Sequence, residues 1–320
     1  MHDLYSLTFK ELLEYIKSIG GAIVVWRPVG GIGDAVMILP AITGLRAEWG
    51  EDVPIIVICI DYIDPIFRHH PDVDLVIALT ADEIGAGKDL TIAIRLRKTG
   101  AIVYPLYYPC PAARYEADNL PYIVTSRQEI FATNCDVSPD SRDYNFAATE
   151  NDMDSISKLP LQERYIVVHL CSHDKWRDYP KILTMGMLAK LARWRKKYDI
   201  QIVTIDTNQD FGIQGVYAIR DTHLNSIIAV IQNALMVIGP DSSMVHIGGA
   251  LGRNVLGLFG PTNPGVRLHY PSVHCLGKFD GCERQYCWYA PCARKYCLST
   301  LPPVRVVGLA KTILKKEGMI

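Results

Sequence analysis

The stretch Val237-Ile238-Gly239-Pro240-Asp241-Ser242-Ser243-Met244-Val245-His246-Ile247-Gly248-Gly249-Ala250, continued by Asn254-Val255-Leu256-Gly257-Leu258-Phe259-Gly260-Pro261-Thr262-Asn263-Pro264, decides how the chain is read. Leu235 to Ile238 is an apolar run of strand length, and Gly239-Pro240 is expected to break it. Asp241 and Ser242 are helix-capping types ahead of an apolar segment. Gly248, Gly249 and Gly252 let that helix pack closely on its neighbours. A second apolar run ends at Gly260-Pro261. The pattern is strand, sharp turn, short helix, strand, loop. A helix that begins at the C-terminal edge of a parallel sheet presents bare N–H groups and a positive dipole, which suit a phosphate. An ordinary strand-to-helix turn has the same outline, so this turn alone does not decide between the two.

Working outward, Ala22 to Trp26 reads as a buried strand. It is followed by Arg27-Pro28-Val29-Gly30-Gly31-Ile32-Gly33-Asp34 and a helical pattern from Ala35 to Trp49. Three glycines between strand and helix allow close approach of the backbone to a ligand. No Gly-Lys-Ser/Thr closes the turn, which excludes a Walker loop, and Val36 stands where a dinucleotide fingerprint needs its third glycine. Asp34 is either a reactive carboxylate or a residue that merely caps its helix. A third loop, Cys171 to Pro180, carries Lys175, Trp176 and Arg177 between a strand (164–170) and a helix (181–197). The strand from Ile200 to Ile205 runs into Asp206, an acid where nucleotide folds hold a ribose; turn chemistry selects the same residue.

Taken together, these strings resemble glycosyltransferase family 9, the heptosyltransferase-like enzymes. Asp241, Ser242, His246, Phe259, Gly260, Pro261, Thr262 and Pro264 match its donor-site signature, and Ser243 stands where the family usually has glycine. Gly33-Asp34 and Leu39-Pro40-Ala41 match its other signature, and Lys175 matches a lysine that contacts donor phosphates. The resemblance implies a GT-B fold: α/β, two Rossmann-like domains with largely parallel sheets facing across a cleft. It implies an inverting transfer of a sugar, a heptose by preference, from an ADP-heptose-like nucleotide diphosphate to a glycan or lipid-linked glycan. No cofactor or metal is then needed for catalysis. Asp34 accepts the acceptor proton. Lys175, the turn at Ser242, Ser243 and Met244, with His246 and Thr262, holds the donor phosphates. Asp241 bonds the donor sugar, and Asp206 bonds the nucleoside. The alternatives are an NAD-dependent oxidoreductase or epimerase, and a non-catalytic interaction protein on the same fold.

Strands alternate with helices along the rest of the chain: apolar runs at 54–60, 75–79, 101–106 and 216–219, and helical patterns at 8–19, 88–98, 126–135 and 224–233. Thr8 and Glu11 have capping-box spacing. The polar segment 136–163 is expected to link two domains, 1–145 on the acceptor side and 146–301 on the donor side. By the resemblance, a last helix (302–320) returns to the first domain. The 320 residues, 49% hydrophobic and 21% charged, fit a globular chain, and a formal net charge of −1 gives no general field for nucleic acid. No apolar run has membrane-span length. The N-terminus lacks the basic start and cleavage site of a secretory signal, so a cytoplasmic location with at most peripheral membrane contact is expected.

Among nine cysteines, Cys282, Cys287, Cys292 and Cys297 recur every fifth residue within the Cys-rich loop 275–297. Five residues is about 140° of helical rotation, so they share no helix face, and Pro291 favours a loop. In a reducing compartment four such thiols suit a structural zinc or iron site. Two other readings stay open: unliganded thiols among aromatics, and a zinc-ribbon nucleic-acid module, which the neutral total charge opposes. By the resemblance, related enzymes often carry Cys-rich stretches here, some of them thought to hold iron.

Overall fold

The computed structural model describes residues 7–85, 89–106, 125–138, 144–170, 181–205, 212–220, 222–260, 262–277, 298 and 301–320. The chain divides into two compact units, with the break between Phe146 and Ala147. No helix among the described residues is long and apolar enough to cross a membrane.

The first unit opens with the helix Phe9–Ser18. Thr8 accepts from the Glu11 N–H, and the Glu11 carboxylate accepts from the Thr8 N–H at 2.7 Å, so the expected capping box forms. Leu12 and Ile16 bury its apolar face. Each contributes about 1.5–3 kcal/mol by leaving water. Strands β1 (Ile23–Arg27), β2 (Ile55–Ile60), β3 (Leu75–Leu79) and β4 (Ile102–Pro105) form a parallel sheet in the order β3-β2-β1-β4. Their apolar runs are almost continuous, as strands covered on both faces require. The helix Ile32–Trp49 follows β1 and starts three residues earlier than expected, which places Asp34 inside its first turn. Its other end is fixed by Arg46, which donates to Asp74 at 2.6 Å and to the carbonyls of Gly50, Val53 and Asp72. That anchoring holds the C-terminal end of the element that carries Asp34.

The second unit contains β5 (Tyr165–His169), β6 (Gln201–Ile205), β7 (Val216–Ile219), β8 (Met236–Pro240), β9 (Asn254–Leu258) and β10 (Val273–Leu276). All are parallel, in the order β10-β9-β8-β5-β6-β7. Winding runs from β5 to β7 on one side and restarts at β8 on the other, so the switch point lies between β5 and β8. This is where an open α/β sheet takes its ligand.

Several expectations need correction. The polar segment 136–163 is not all linker: Glu150–Ile156 is a helix with its own capping box at Thr149 and Asp152. Gly239-Pro240 does not break β8, because both residues pair with Gly257 and Leu258 of β9. The ladder to β5 ends at Ile238, so the missing proline N–H costs no bond on that side. The helix at 181–197 is two, Lys181–Ala192 and Trp194–Tyr198. The closing helix Pro303–Lys316 packs on Lys181–Ala192 and puts Val306, Ala310, Ile313 and Leu314 into the core of the second unit.

Candidate donor and acceptor sites

In the second unit, β8 delivers Asp241 and Ser242 to the C-terminal edge of the sheet, and Ser242 is the N-cap of the helix Ser243–Ala250. Its hydroxyl makes no cap bond to that helix. It lies instead 2.9 Å from Nδ1 of His169, the last residue of β5. The hydroxyl is thus held toward β5, and the first amides of the helix have no side-chain cap. A helix start in that state has N–H groups to offer an anion. Ser243 is partly exposed beside it, and Met244 is buried.

Asp241 and His246 are both buried, with Oδ1 of Asp241 3.5 Å from Nε2 of His246. The opposite ring nitrogen of His246, Nδ1, lies 2.9 Å from the Tyr270 hydroxyl. The two rings meet edge to face with centroids 5.8 Å apart. Gly249 makes this chain sterically feasible, because a Cβ there would lie 2.4 Å from Tyr270 Cγ. Gly248 likewise lets the helix sit on β8 and β9, where a Cβ would meet Val237 at 2.9 Å and Val255 at 3.1 Å. Gly252 is needed for a different reason, since its φ of +67° serves the turn, with open space around it. Thr262 is 1% exposed, and its hydroxyl has no hydrogen-bond partner among the described residues. A buried hydroxyl in that state is costly unless something completes it.

In the first unit, β1 ends on Arg27, which is fully buried. One guanidinium nitrogen donates to the Leu106 carbonyl at 2.7 Å, another lies 3.4 Å from Oδ2 of Asp34, and the group sits 5.2 Å from the centre of the Phe131 ring. Three kinds of partner share the cost of burying this charge. The Asp34 side chain remains 16% exposed. Gly30, at φ +119°, is required by Arg27: a Cβ there would lie 1.8 Å from its Nη2. The space expected for a ligand at that glycine is therefore filled by the protein itself, whereas Gly31 faces open space. Tyr62 donates to the Gly30 carbonyl at 2.7 Å. Burial raises the pKa of its phenol; the Arg27 charge opposes the rise, and Asp61 and Asp34 add to it.

The structure thus brings Asp241, Ser242, His246 and the turn at Ser243 and Met244 together on one helix start. It places Asp34 on another. Lys175, Arg177, Asp206 and the cysteines Cys282, Cys287, Cys292 and Cys297 lie outside the described residues. Among the described residues no group of three or more His, Cys, Asp or Glu side chains could hold a metal. Sequence reasoning missed His169 and Tyr270. Their partners are 73 and 24 residues away, and only the winding of the sheet and the helix connections bring them together.

Residues 208–285 match the family described as glycosyltransferase family 9 (heptosyltransferase). No curated protein sequence matches the chain. Solved structures do. A glycosyl transferase family 9 protein from Veillonella parvula superposes with a TM-score of 0.70 at 16% identity, covering 92% of this chain and 97% of that one. The ADP-heptose lps heptosyltransferase II of E. coli gives 0.67 at 16% identity, over 92% and 99%. The iron-containing dodecameric glycosyltransferase TibC of enterotoxigenic E. coli gives 0.62 at 12% identity, over 92% and 76%. The two parallel sheets are those of the GT-B glycosyltransferases.

Proposed function

We propose that this chain, a glycosyltransferase of the family 9 kind, moves a sugar from a nucleotide diphosphate donor to a hydroxyl of a cell-surface glycan or lipid-linked glycan. The observation that carries this reading is the helix start at Ser242. It lies at the switch point of its sheet, and its capping hydroxyl is turned away to His169. The matched segment 208–285 includes that turn. ADP-heptose is the first donor to try, because the E. coli relative is named for it and TibC was solved with ADP-D-beta-D-heptose.

In this mechanism Asp34 accepts the proton of the acceptor hydroxyl as its oxygen attacks the anomeric carbon. The bond from that carbon to the diphosphate oxygen breaks on the opposite face, so the configuration inverts. The electron pair leaves with the nucleoside diphosphate. Its growing charge is met by Lys175 and by the amides of Ser243 and Met244, which the helix start holds in place before the reaction begins. The buried Thr262 hydroxyl completes its bonding on the donor. Asp241, oriented by His246, bonds the sugar, and Asp206 bonds the nucleoside. The reading places the reaction in the cytoplasm and gives any metal at the Cys282–Cys297 loop a structural role only.

The test is a thermal-shift series with nucleoside diphosphates and their sugars, followed by an assay for nucleoside diphosphate release. A ligand at a hundred times its Kd stabilises the native state by about 2.7 kcal/mol. ADP and ADP-heptose should raise the midpoint. A chain that answers to no nucleotide sugar, or that answers to NAD alone, overturns the reading.

A further inference from the structure

We infer that the last turns of two packed helices in the second unit form a docking surface for an anionic lipid membrane. The helices are Lys181–Ala192, extended by Trp194–Tyr198, and Pro303–Lys316. They run in parallel. At one end the Pro303 ring lies 2.8 Å from where a Gly186 Cβ would be. At the other, the Lys197 ammonium lies 5.3 Å from the centre of the Tyr198 ring, and Lys311 approaches the Tyr198 hydroxyl. Arg164 closes the same end by donating to the carbonyls of Tyr198 and Met319.

This parallel packing superposes two basic sequence runs. Arg193, Arg195, Lys196 and Lys197 are exposed on the first helical segment, and Lys315 and Lys316 on the second, with Lys311 between them. Neither 181–198 nor 303–316 contains an acidic residue, in a chain whose formal net charge is −1. The acids nearby in sequence are Glu163, Asp199 and Glu317, all exposed. One or two cations at a helix C-terminus answer the helix dipole. Seven on two adjoining termini exceed that need and outnumber the three acids, so the surface carries a positive excess.

The composition of the patch favours lipid headgroups over nucleic acid. Five of the seven are lysines, which meet phosphates as point charges and lack the planar fork that reads bases. The aromatic residues offer no stacking platform: Trp194 is buried, and Tyr198 is engaged by the two lysines. Clusters of this size bind anionic bilayers reversibly and lose hold as salt rises. The patch lies where β5 and β6 begin, at the sheet edge opposite the His169–Ser242 bond. Attachment there leaves the ligand edge of the same sheet open.

The test needs no substrate. The full chain is sedimented with vesicles of phosphatidylcholine alone and of phosphatidylcholine mixed with phosphatidylglycerol. It should bind the anionic vesicles only, and high salt should release it. The triple variant Lys196→Gln/Lys315→Gln/Lys316→Gln, with all three side chains exposed, should melt like the wild type and bind at least about tenfold more weakly. Three outcomes overturn the inference: no binding to anionic vesicles, undiminished binding by the variant, or mixed-sequence RNA that binds the patch more tightly than the vesicles do.

Discussion

The His169 imidazole lies 2.9 Å from the Ser242 hydroxyl and so joins the tip of β5 to the helix that follows β8. The first unit has a counterpart, for Arg27 at the tip of β1 donates at 2.7 Å to Leu106, just past β4. In each unit the last side chain of the first strand bridges the place where the winding reverses. The two residues differ in chemistry but act alike: each spans the gap between diverging connections and fixes the geometry of a helix start.

If His169 holds the Ser242 hydroxyl away from its own helix, removing that hold should weaken anion binding more than folding. His169→Leu should lower affinity for ADP several-fold in a calorimetric titration, in keeping with a hydrogen bond of about 0.5–1.5 kcal/mol. His169→Asn, with an amide near the position of Nδ1, should recover most of the loss. Equal affinities for the Leu variant and the wild type would remove His169 from the site.

Gly30 and Gly31 should respond oppositely to a methyl group. At Gly30 the Cβ collides with Arg27, and the positive φ adds strain, so Gly30→Ala should cost about 1–3 kcal/mol. That is a fall of several degrees in Tm. Gly31 has φ −79° and open space, so Gly31→Ala should change Tm by about a degree or two. Matching losses at the two positions would mean that Arg27 is not the reason for Gly30.

These two sites also show what the sequence disclosed and what it withheld. Apolar runs marked β1, β2, β3 and β5 to within about a residue, because strands buried on both faces leave no polar alternation to misread. The turn at Asp241 and Ser242 was legible from its capping types. The role of Gly30 was not, since a glycine beside a ligand and a glycine beside a buried arginine look alike in sequence. The helix at Glu150–Ile156 carried a readable signal, Thr149 three residues before Asp152, but the polar surroundings outweighed it. Tyr270 could not have been found, because its contact with His246 depends on how the chain returns after β9.

Gly249 and Tyr270 should behave as a coupled pair. A methyl at Gly249 needs the space of the Tyr270 ring, so Gly249→Ala alone should destabilise by about 1–3 kcal/mol and detach His246 from its hydroxyl partner. In the double variant Gly249→Ala/Tyr270→Ala the clash is gone, and the two losses should not add, with a coupling of at least about 0.5 kcal/mol in denaturant titrations. Tyr270→Phe keeps the ring, and its smaller effect should appear in ADP affinity. Strict additivity of the two alanine variants would show that the ring moves aside freely.

Asp34→Asn tests the proposed base most directly, because the amide keeps an oxygen near Arg27. The guanidinium also retains its bond to Leu106 and its place over Phe131, so it is not stranded. Folding should therefore change by less than about 1 kcal/mol, which corresponds to two to four degrees in Tm for a unit of this size. Turnover, followed as nucleoside diphosphate release, should fall by roughly two to four powers of ten, because the amide cannot take the acceptor proton. Donor affinity should be unchanged, since the groups assigned to the donor lie in the other unit. Arg27→Lys separates position from charge. It keeps a cation but cannot reach Leu106 and Asp34 with separate nitrogens, so kcat should drop with little change in the donor KM. A variant without the Asp34 carboxylate that turns over at the wild-type rate would reduce Asp34 to a first-turn helix residue, and the acceptor proton would then need another destination.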